Sequence, residues 1–388
     1  MFLTAYNLPH YLMSKGLISA QSVVDGDFVL AEAGRRNRNF KVLRRKQPGL
    51  FVKQIKSTEA QAISTIEREA AFYRTVHSDP RYAAIAGMIP KFIDYEPSRR
   101  ALALSLTENA ESISEHHMRQ AQVPENTARL IGNALGIAHS YGPTMLADPA
   151  MRGLFPYQAP WPMSLDQMGY SFLDNFAPIG PQLSAAIRQQ PNLQARLSAL
   201  RPLWQYDNLI HGDMKWDNCL VSSRDGVELN LTIVDWELAD IGDGAWDVAT
   251  IFKEYLVNAI LKAQAIETMQ PSIRAFWKAY VLARGLSQDA GRFLDRAVRY
   301  TAARMIIAVL EYLNASPQFG ALGPVMLQTA TNLLEAPQVA AVQMIGVPIV
   351  GQVGNLPPIE NRPWAFQESP NRPIFNRRQD TILPHNAI

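Results

Sequence analysis

One cysteine, Cys219, is the entire thiol content of the 388 residues. No internal disulfide can form, so nothing in the fold depends on an oxidising compartment. Charge of one sign is equally scarce, since 37 lysines and arginines against 35 aspartates and glutamates leave a formal +2. So weak a field excludes a dedicated nucleic-acid binder and gives no pull toward an anionic membrane. Long apolar runs are missing too. The longest uncharged stretch, Ala336 to Ile359, spans 24 residues, but it holds Pro337, Pro348, Pro357 and Pro358, three glycines and three glutamines. Such a segment would strand unpaired backbone groups in lipid, and it is expected to lie across the globular surface. At the N-terminus Asn7, Pro9 and His10 interrupt the apolar stretch that a secretory signal needs. The chain reads as cytoplasmic.

What is present is an ordinary globular composition, 47% hydrophobic and 19% charged. At about 150 residues per domain, the length points to two or three units. Alternating runs at Val23 to Ala33, Phe40 to Arg44 and Leu50 to Ile55 read as an antiparallel meander, and Lys91 to Tyr95 and Ala101 to Leu106 as two further strands. Between them a helix capped by Ser57 or Thr58 reaches Val76, with Ala62, Ile66, Tyr73 and Val76 on one stripe. From Thr127 onward helical stripes dominate, at Leu130 to His139, Leu183 to Leu200, Asp247 to Ile260, Ile273 to Ala283 and Asp289 to Leu313. The expected organisation is an N-terminal extension (1–21), a nucleotide-binding lobe (22–107), a helical lobe (108–346) and a proline-rich tail (347–388).

The residues with chemistry lie in His211-Gly212-Asp213-Met214-Lys215-Trp216-Asp217-Asn218, and in Val234-Asp235-Trp236-Glu237 beyond the next hairpin. Asp213 and Asn218 stand five apart, the spacing at which a kinase loop sets an aspartate on the attacking hydroxyl and an asparagine on magnesium. Asn218 and Asp235 offer the hard oxygen ligands that magnesium prefers. In the first lobe Lys53 shares a strand face with Phe51 and Ile55, where a lysine is out of place. Glu69 falls within the apolar stripe of the following helix and points at the sheet, whereas Glu67 points elsewhere. Lys53 and Glu69 therefore form either a buried functional pair or a surface charge pair.

These segments resemble the aminoglycoside phosphotransferase and choline kinase superfamily, relatives of the protein kinases marked by a His-Gly-Asp loop ending in Asn and by Ile-Asp-Trp-Glu. Gly242 to Ala249 and the Leu130 to His139 helix are similar to further family segments, so the likeness covers about residues 22 to 310. It implies a bilobal, protein-kinase-like α+β fold, with an antiparallel five-stranded N-lobe, one helix, and a mainly helical C-lobe. It also implies an ATP- and Mg2+-dependent O-phosphotransferase. Asp213 would orient and deprotonate the acceptor, Lys215 would sit near the γ-phosphate or in solvent, and Asn218 and Asp235 would ligate the metal. Lys53 and Glu69, the loop with Gly34 and Asn39, and the backbone near Ser105 and Thr107 would hold the nucleotide. Arg35, Arg36 and Arg38 would touch phosphate or be solvated. Asp247 and His139 would be structural, and His116 and His117 solvated. Trp216 and Gly244 replace prolines of the family pattern.

The expected acceptor is a small-molecule hydroxyl. Alternatives are a Ser or Thr of a precursor peptide, with a partner lyase, or a catalytically silent nucleotide-binding relative. Residues 251–340 hold six carboxylates against nine basic groups, the wrong sign for a polycationic aminoglycoside. The aromatic, proline-stiffened segment Met151 to Ser164, with Trp161, is expected either to wall the acceptor site or to pack on the lobe.

Overall fold

A computed structural model describes residues 2–349, apart from 34–36, 58, 121–122, 170, 177, 224–228, 287–288 and 314–318. Gly34, Arg35, Arg36, Thr58 and the tail from residue 350 lie outside the described residues.

The alternating runs become β1 (Phe28–Glu32), β2 (Arg38–Arg44), β3 (Leu50–Gln54), β4 (Phe92–Glu96) and β5 (Ala101–Ser105). They form one antiparallel sheet in the order β1-β2-β3-β5-β4. Period-2 alternation gives this sheet two apolar faces. Ile55, Leu102 and Leu104 share a core with Ile66, Phe72, Tyr73 and Val76 of α3 (Ala60–Ser78). Phe40, Val42, Leu50, Val52, Ala101 and Ala103 are covered instead by Leu3, Leu8, Tyr11, Leu12 and Ile18, five of them around α1 (Leu8–Ser14). The expected N-terminal extension is thus the third layer of the first lobe.

The strand expected from Val23 begins only at Phe28. Residues before it form α2 (Ala20–Val24), because the Ser19 hydroxyl accepts the Ser22 N–H at 3.0 Å and caps a short turn. Val23 and Val24 are exposed there, so their apolar character marked no buried face.

The second lobe is built on the helices Glu125–Ser140, Ala245–Leu261, Gln270–Arg284, Ala290–Leu313 and Phe319–Glu335. The stripe from Leu183 to Leu200 is split into Ile179–Arg188 and Pro191–Ser198, since a proline has no N–H to continue a helix but suits its first turn. Glu125–Ser140 packs against Gln270–Arg284 at close range; a Cβ at Gly132 would lie 2.2 Å from the Phe276 carbonyl oxygen. The described part of the uncharged run lies only partly at the surface: in Pro337–Ala340, the π-turn Ala341–Ile345 and the residues after it, Ala340, Ala341 and Ile345 are fully buried and Val347 and Ile349 nearly so, whereas Val342, Gln343 and Pro348 are exposed. One side of the segment is thus anchored in the core. Among the described residues no helix is long and apolar enough to cross a membrane.

Met151, Phe155 and Met163 of the aromatic segment are buried, and the Trp161 ring packs on Phe172 at 5.5 Å. Its loop is pinned where the Asp240 carboxylate accepts the Tyr157 and Gln158 N–H groups at 2.8 and 2.9 Å.

Two small sheets flank the segments singled out in the sequence. β7 (Asn208–Ile210) pairs with β10 (Asp240–Gly242), and β8 (Cys219–Ser223) lies between β6 (Ala110–Ser112) and β9 (Leu229–Ile233). Residues 211–218 therefore connect β7 to β8, and Asp235 sits between β9 and β10. Cys219 opens β8, fully buried.

Candidate active site

The loop leaving β7 is held by a buried carboxylate. Asp247, fully buried on the Ala245–Leu261 helix, accepts the N–H groups of His211 and Gly212 at 2.7 and 3.0 Å. His139 donates its Nε2–H to the same carboxylate at 3.2 Å and accepts the Tyr280 hydroxyl at Nδ1, 2.9 Å away. Asp247 and His139 are braces. His211 donates from Nε2 to the Val234 carbonyl at 2.9 Å, which leaves Nδ1 to accept the Asp213 N–H at 3.2 Å. Gly212 has φ +79°, and a Cβ there would lie 2.3 Å from the Leu238 carbonyl oxygen, so only glycine fits.

Asp213 emerges from this frame with both oxygens held. Arg304 Nη2 meets Oδ1 at 3.2 Å, while Lys215 Nζ meets Oδ2 at 2.7 Å and Asn218 Nδ2 lies 3.3 Å from Oδ2. Burial pushes the Asp213 carboxyl up in pKa, but Arg304 and then Lys215 outweigh it and hold the group below the ordinary carboxylate range. It is ionised at neutral pH. Asn218 also donates Nδ2 to the Asp213 carbonyl at 2.8 Å, which turns its amide oxygen the other way.

A second cluster joins the lobes. Lys53 Nζ on β3 lies 2.9 Å from Glu69, 2.6 Å from Asp235 and 2.8 Å from Glu237. Burial lowers the Lys53 pKa, and Glu69, Asp235 and Glu237 together raise it well above normal. Burial pushes Glu69 up to about 7, against the pull of Lys53 and with a push from Asp235 and Glu237. Three carboxylates around one ammonium leave an excess of negative charge. Asp235 reaches this position from a left-handed backbone, φ +65°, a conformation aspartate tolerates better than most residues. The clusters are tied together because Val234, next to Asp235, donates its N–H to the Asn218 carbonyl at 2.9 Å. Carboxylate oxygens of Glu69, Asp235 and Glu237 lie within 4.8 Å of one another, an all-oxygen set that fits a hard cation.

The other expected contacts fall as follows. Asn39 stands opposite Lys53 across β2 and β3, its Oδ1 buried without a partner. Ser105 donates its N–H to the Lys91 carbonyl at 2.9 Å and accepts the Lys91 N–H at its hydroxyl, 2.8 Å, so it belongs to the sheet. Thr107 is half-buried beyond it. Arg38 turns to the N-terminal segment, donating to the Leu3 carbonyl at 3.1 Å and lying over the Phe2 ring. Glu237 and Arg304 were given no role by sequence reasoning. Arg304 did carry a signal, a charge in the buried stripe of Ala297, Thr301 and Ala308.

His117 is a correction. It is 1% exposed, shares a hydrogen bond of 3.0 Å with Thr127, and meets Trp216 edge-on at 4.4 Å. Trp216 itself packs on Tyr255 at 5.0 Å, so it fills volume beneath the loop where the family has proline. Burial, then His116 and Lys262, push the His117 pKa down to about 3. An unfolded histidine titrates near 6.5, so this group's contribution to stability is complete above about 6.5 and is lost as pH falls toward 3, by roughly 1.4 kcal/mol per unit at most. Because Glu69 titrates in the opposite sense over the same range, the test is the difference: the melting temperature of His117→Gln is expected to rise relative to that of the wild type as pH falls from 7 to 5.

Solved structures bear out the architecture. The GDP complex of wild-type aminoglycoside 2'-phosphotransferase-IIIa is similar at a TM-score of 0.51 and 15% identity, over 86% of this chain and 98% of that one. A choline kinase from Streptococcus pneumoniae gives 0.48 and 14% over 83% and 99%, and a macrolide 2'-phosphotransferase from Brachybacterium faecium gives 0.49 and 13% over 85% and 99%. A search of curated proteins finds no match. Fold and family together make this a phosphotransferase with a bilobal, kinase-like architecture. The family model described as "Phosphotransferase enzyme family" (APH) matches residues 27–271, more than half of the chain. The chain belongs to that family.

Proposed function

We propose that the protein transfers the γ-phosphoryl group of ATP to a hydroxyl of a small molecule, in a magnesium-dependent reaction in the cytoplasm. The observation that carries this reading is the pairing of an ionised Asp213, locked to Asn218, with a buried Lys53 shared by Glu69, Asp235 and Glu237. Phosphoryl transfer is mostly positioning and charge neutralisation, and these are groups for both.

Lys53, kept in place by Glu69, holds the α- and β-phosphates. Asn39, opposite Lys53 in the sheet, caps the phosphates, and the chain between Ser105 and Thr107 takes the adenine edge. Asn218 and Asp235 would hold the magnesium, which supplies neutralisation of charge on the phosphate oxygens. Asp213 accepts a hydrogen bond from the acceptor hydroxyl, orients it, and takes its proton as the new oxygen–phosphorus bond forms. Lys215, 2.7 Å from Asp213, supplies a cation beside the transferred group. Because the similar aminoglycoside enzyme is a GDP complex, GTP is the second donor to test.

The test is ADP release with magnesium-ATP and a broad acceptor panel. Turnover that vanishes in Asp213→Ala supports the reading; no ADP above that of the variant overturns it. Within the panel, kanamycin is expected to be a poor acceptor at low and physiological salt, because basic groups outnumber carboxylates in residues 251–340. Efficient, salt-sensitive turnover of kanamycin would refute that point. No feature of the described residues favours a peptide acceptor.

A further inference from the structure

All four arginines of the Ala290–Leu313 helix meet an aspartate. Arg292 pairs with Asp289, Arg296 with Asp243 at 2.7 Å and Arg299 with Asp295 at 2.8 Å, carboxylates without a part in the reaction. Those three line a cavity of about 590 Å3 beside Trp204, and their charges are already matched. Arg304 differs, because its aspartate is Asp213.

Arg304 is 3% exposed, and its guanidinium lies over the Trp246 ring, 5.3 Å from the centroid. A guanidinium has five N–H donors. Here Nη2 binds Asp213, and Nε is buried with no partner. Burying a cation with idle donors costs free energy unless something else satisfies them. The two oxygens of Asp213 also face different neighbours: Oδ2 is held by Lys215 and by Asn218, the residue assigned to the metal, and Oδ1 by Arg304 from a helix of the C-lobe. A hydroxyl that reaches Asp213 away from the metal side arrives beside Arg304.

We propose that Arg304 sets acceptor specificity: the acceptor carries an anionic group close to its reacting hydroxyl, and this group takes the idle Nε–H of Arg304. Asp213 Oδ1 is then free for the hydroxyl. The inference rests on the phosphotransferase reading above and adds the chemical class of the substrate. The anion changes no bond. The acceptor oxygen bonds to the γ-phosphorus, the bond to the β–γ bridging oxygen breaks, the hydroxyl proton passes to Asp213, and ADP leaves. A neutral or cationic acceptor leaves Arg304 clamped on the base.

The test uses the full chain with magnesium and γ-labelled ATP. A protein-free metabolite extract of the native host is divided on an anion exchanger, and label transfer is measured for each fraction. Acceptor activity in the retained fractions is the expected result, and activity confined to the unretained fraction overturns the proposal. If no fraction accepts label, the phosphotransferase reading itself falls, and this proposal with it. Loss of activity after carbodiimide amidation marks a carboxylate, and loss after phosphatase treatment marks a phosphate. With the active fraction, Arg304→Gln should lower kcat/KM at least about thirtyfold, chiefly through the acceptor KM, with the ATP KM unchanged and part of the loss recovered in Arg304→Lys. A lower kcat at unchanged acceptor KM would show Arg304 acting only on Asp213, and would overturn it. Should Arg304→Gln fail to fold, the fractionation of wild-type activity decides alone.

Discussion

Asp235→Ala is expected to lower kcat on the order of a thousandfold while the protein stays folded. Asp235 is one of three carboxylates around the single ammonium of Lys53, so its removal leaves that cation neutralised by Glu69 and Glu237. Mutual repulsion is relieved, and no core volume is lost because the side chain is 39% exposed. Against this, alanine at φ +65° costs roughly 1–2 kcal/mol, a strain that Asp235→Asn avoids. The melting temperature should therefore fall little in the alanine variant and hold or rise in the asparagine one. Magnesium-ATP should stabilise the wild type by mass action and Asp235→Ala far less. Equal thermal shifts would show that Asp235 is not the ligand.

Lys53→Met should behave in the opposite way, losing both turnover and about 3–5 kcal/mol of stability in denaturant unfolding. It strips the ammonium that lies within 3 Å of all three carboxylates, of which Glu69 is 1% exposed. The loss should deepen as pH rises. An unfolded glutamate ionises near 4.3, whereas burial has pushed Glu69 up to about 7 even with Lys53 in place. Between those values the folded chain holds a proton that the unfolded chain has released, so the group's contribution is present at low pH and lost as pH rises through the folded pKa. Without Lys53 the window extends upward. Adding Glu69→Gln to Lys53→Met should restore much of the stability and none of the activity; no rescue would show that the damage is not electrostatic.

Lys53 and Glu69 also show why part of the site is readable from the chain alone. Each is a charge in an apolar pattern, at period 2 and at period 3.6, and such a misfit persists only where a partner waits. Arg304 satisfies the same rule within Ala297, Thr301 and Ala308, yet its partner is 91 residues away in sequence, and no local spacing connects them. The errors have a common cause as well. Val23 and Val24 look like strand and are exposed, His117 looks polar and is buried, and the uncharged run at 336–349 looks like a surface strap yet sinks Ala340, Ala341 and Ile345 into the core. In each case burial is decided by what another segment covers, which the residues' own polarity does not encode.

Cys219 turns the hairpin that follows Asn218 into its own gauge. The thiol is fully buried at the start of β8, directly after Asn218, and burial, then Glu254, push its pKa far above the ordinary thiol range. Alkylating reagents attack the thiolate, so the native chain should react only during moments when this hairpin opens. As no second cysteine competes, the labelling rate becomes a direct clock of that opening, and its slowing by magnesium-ATP would measure how firmly nucleotide holds this hairpin closed.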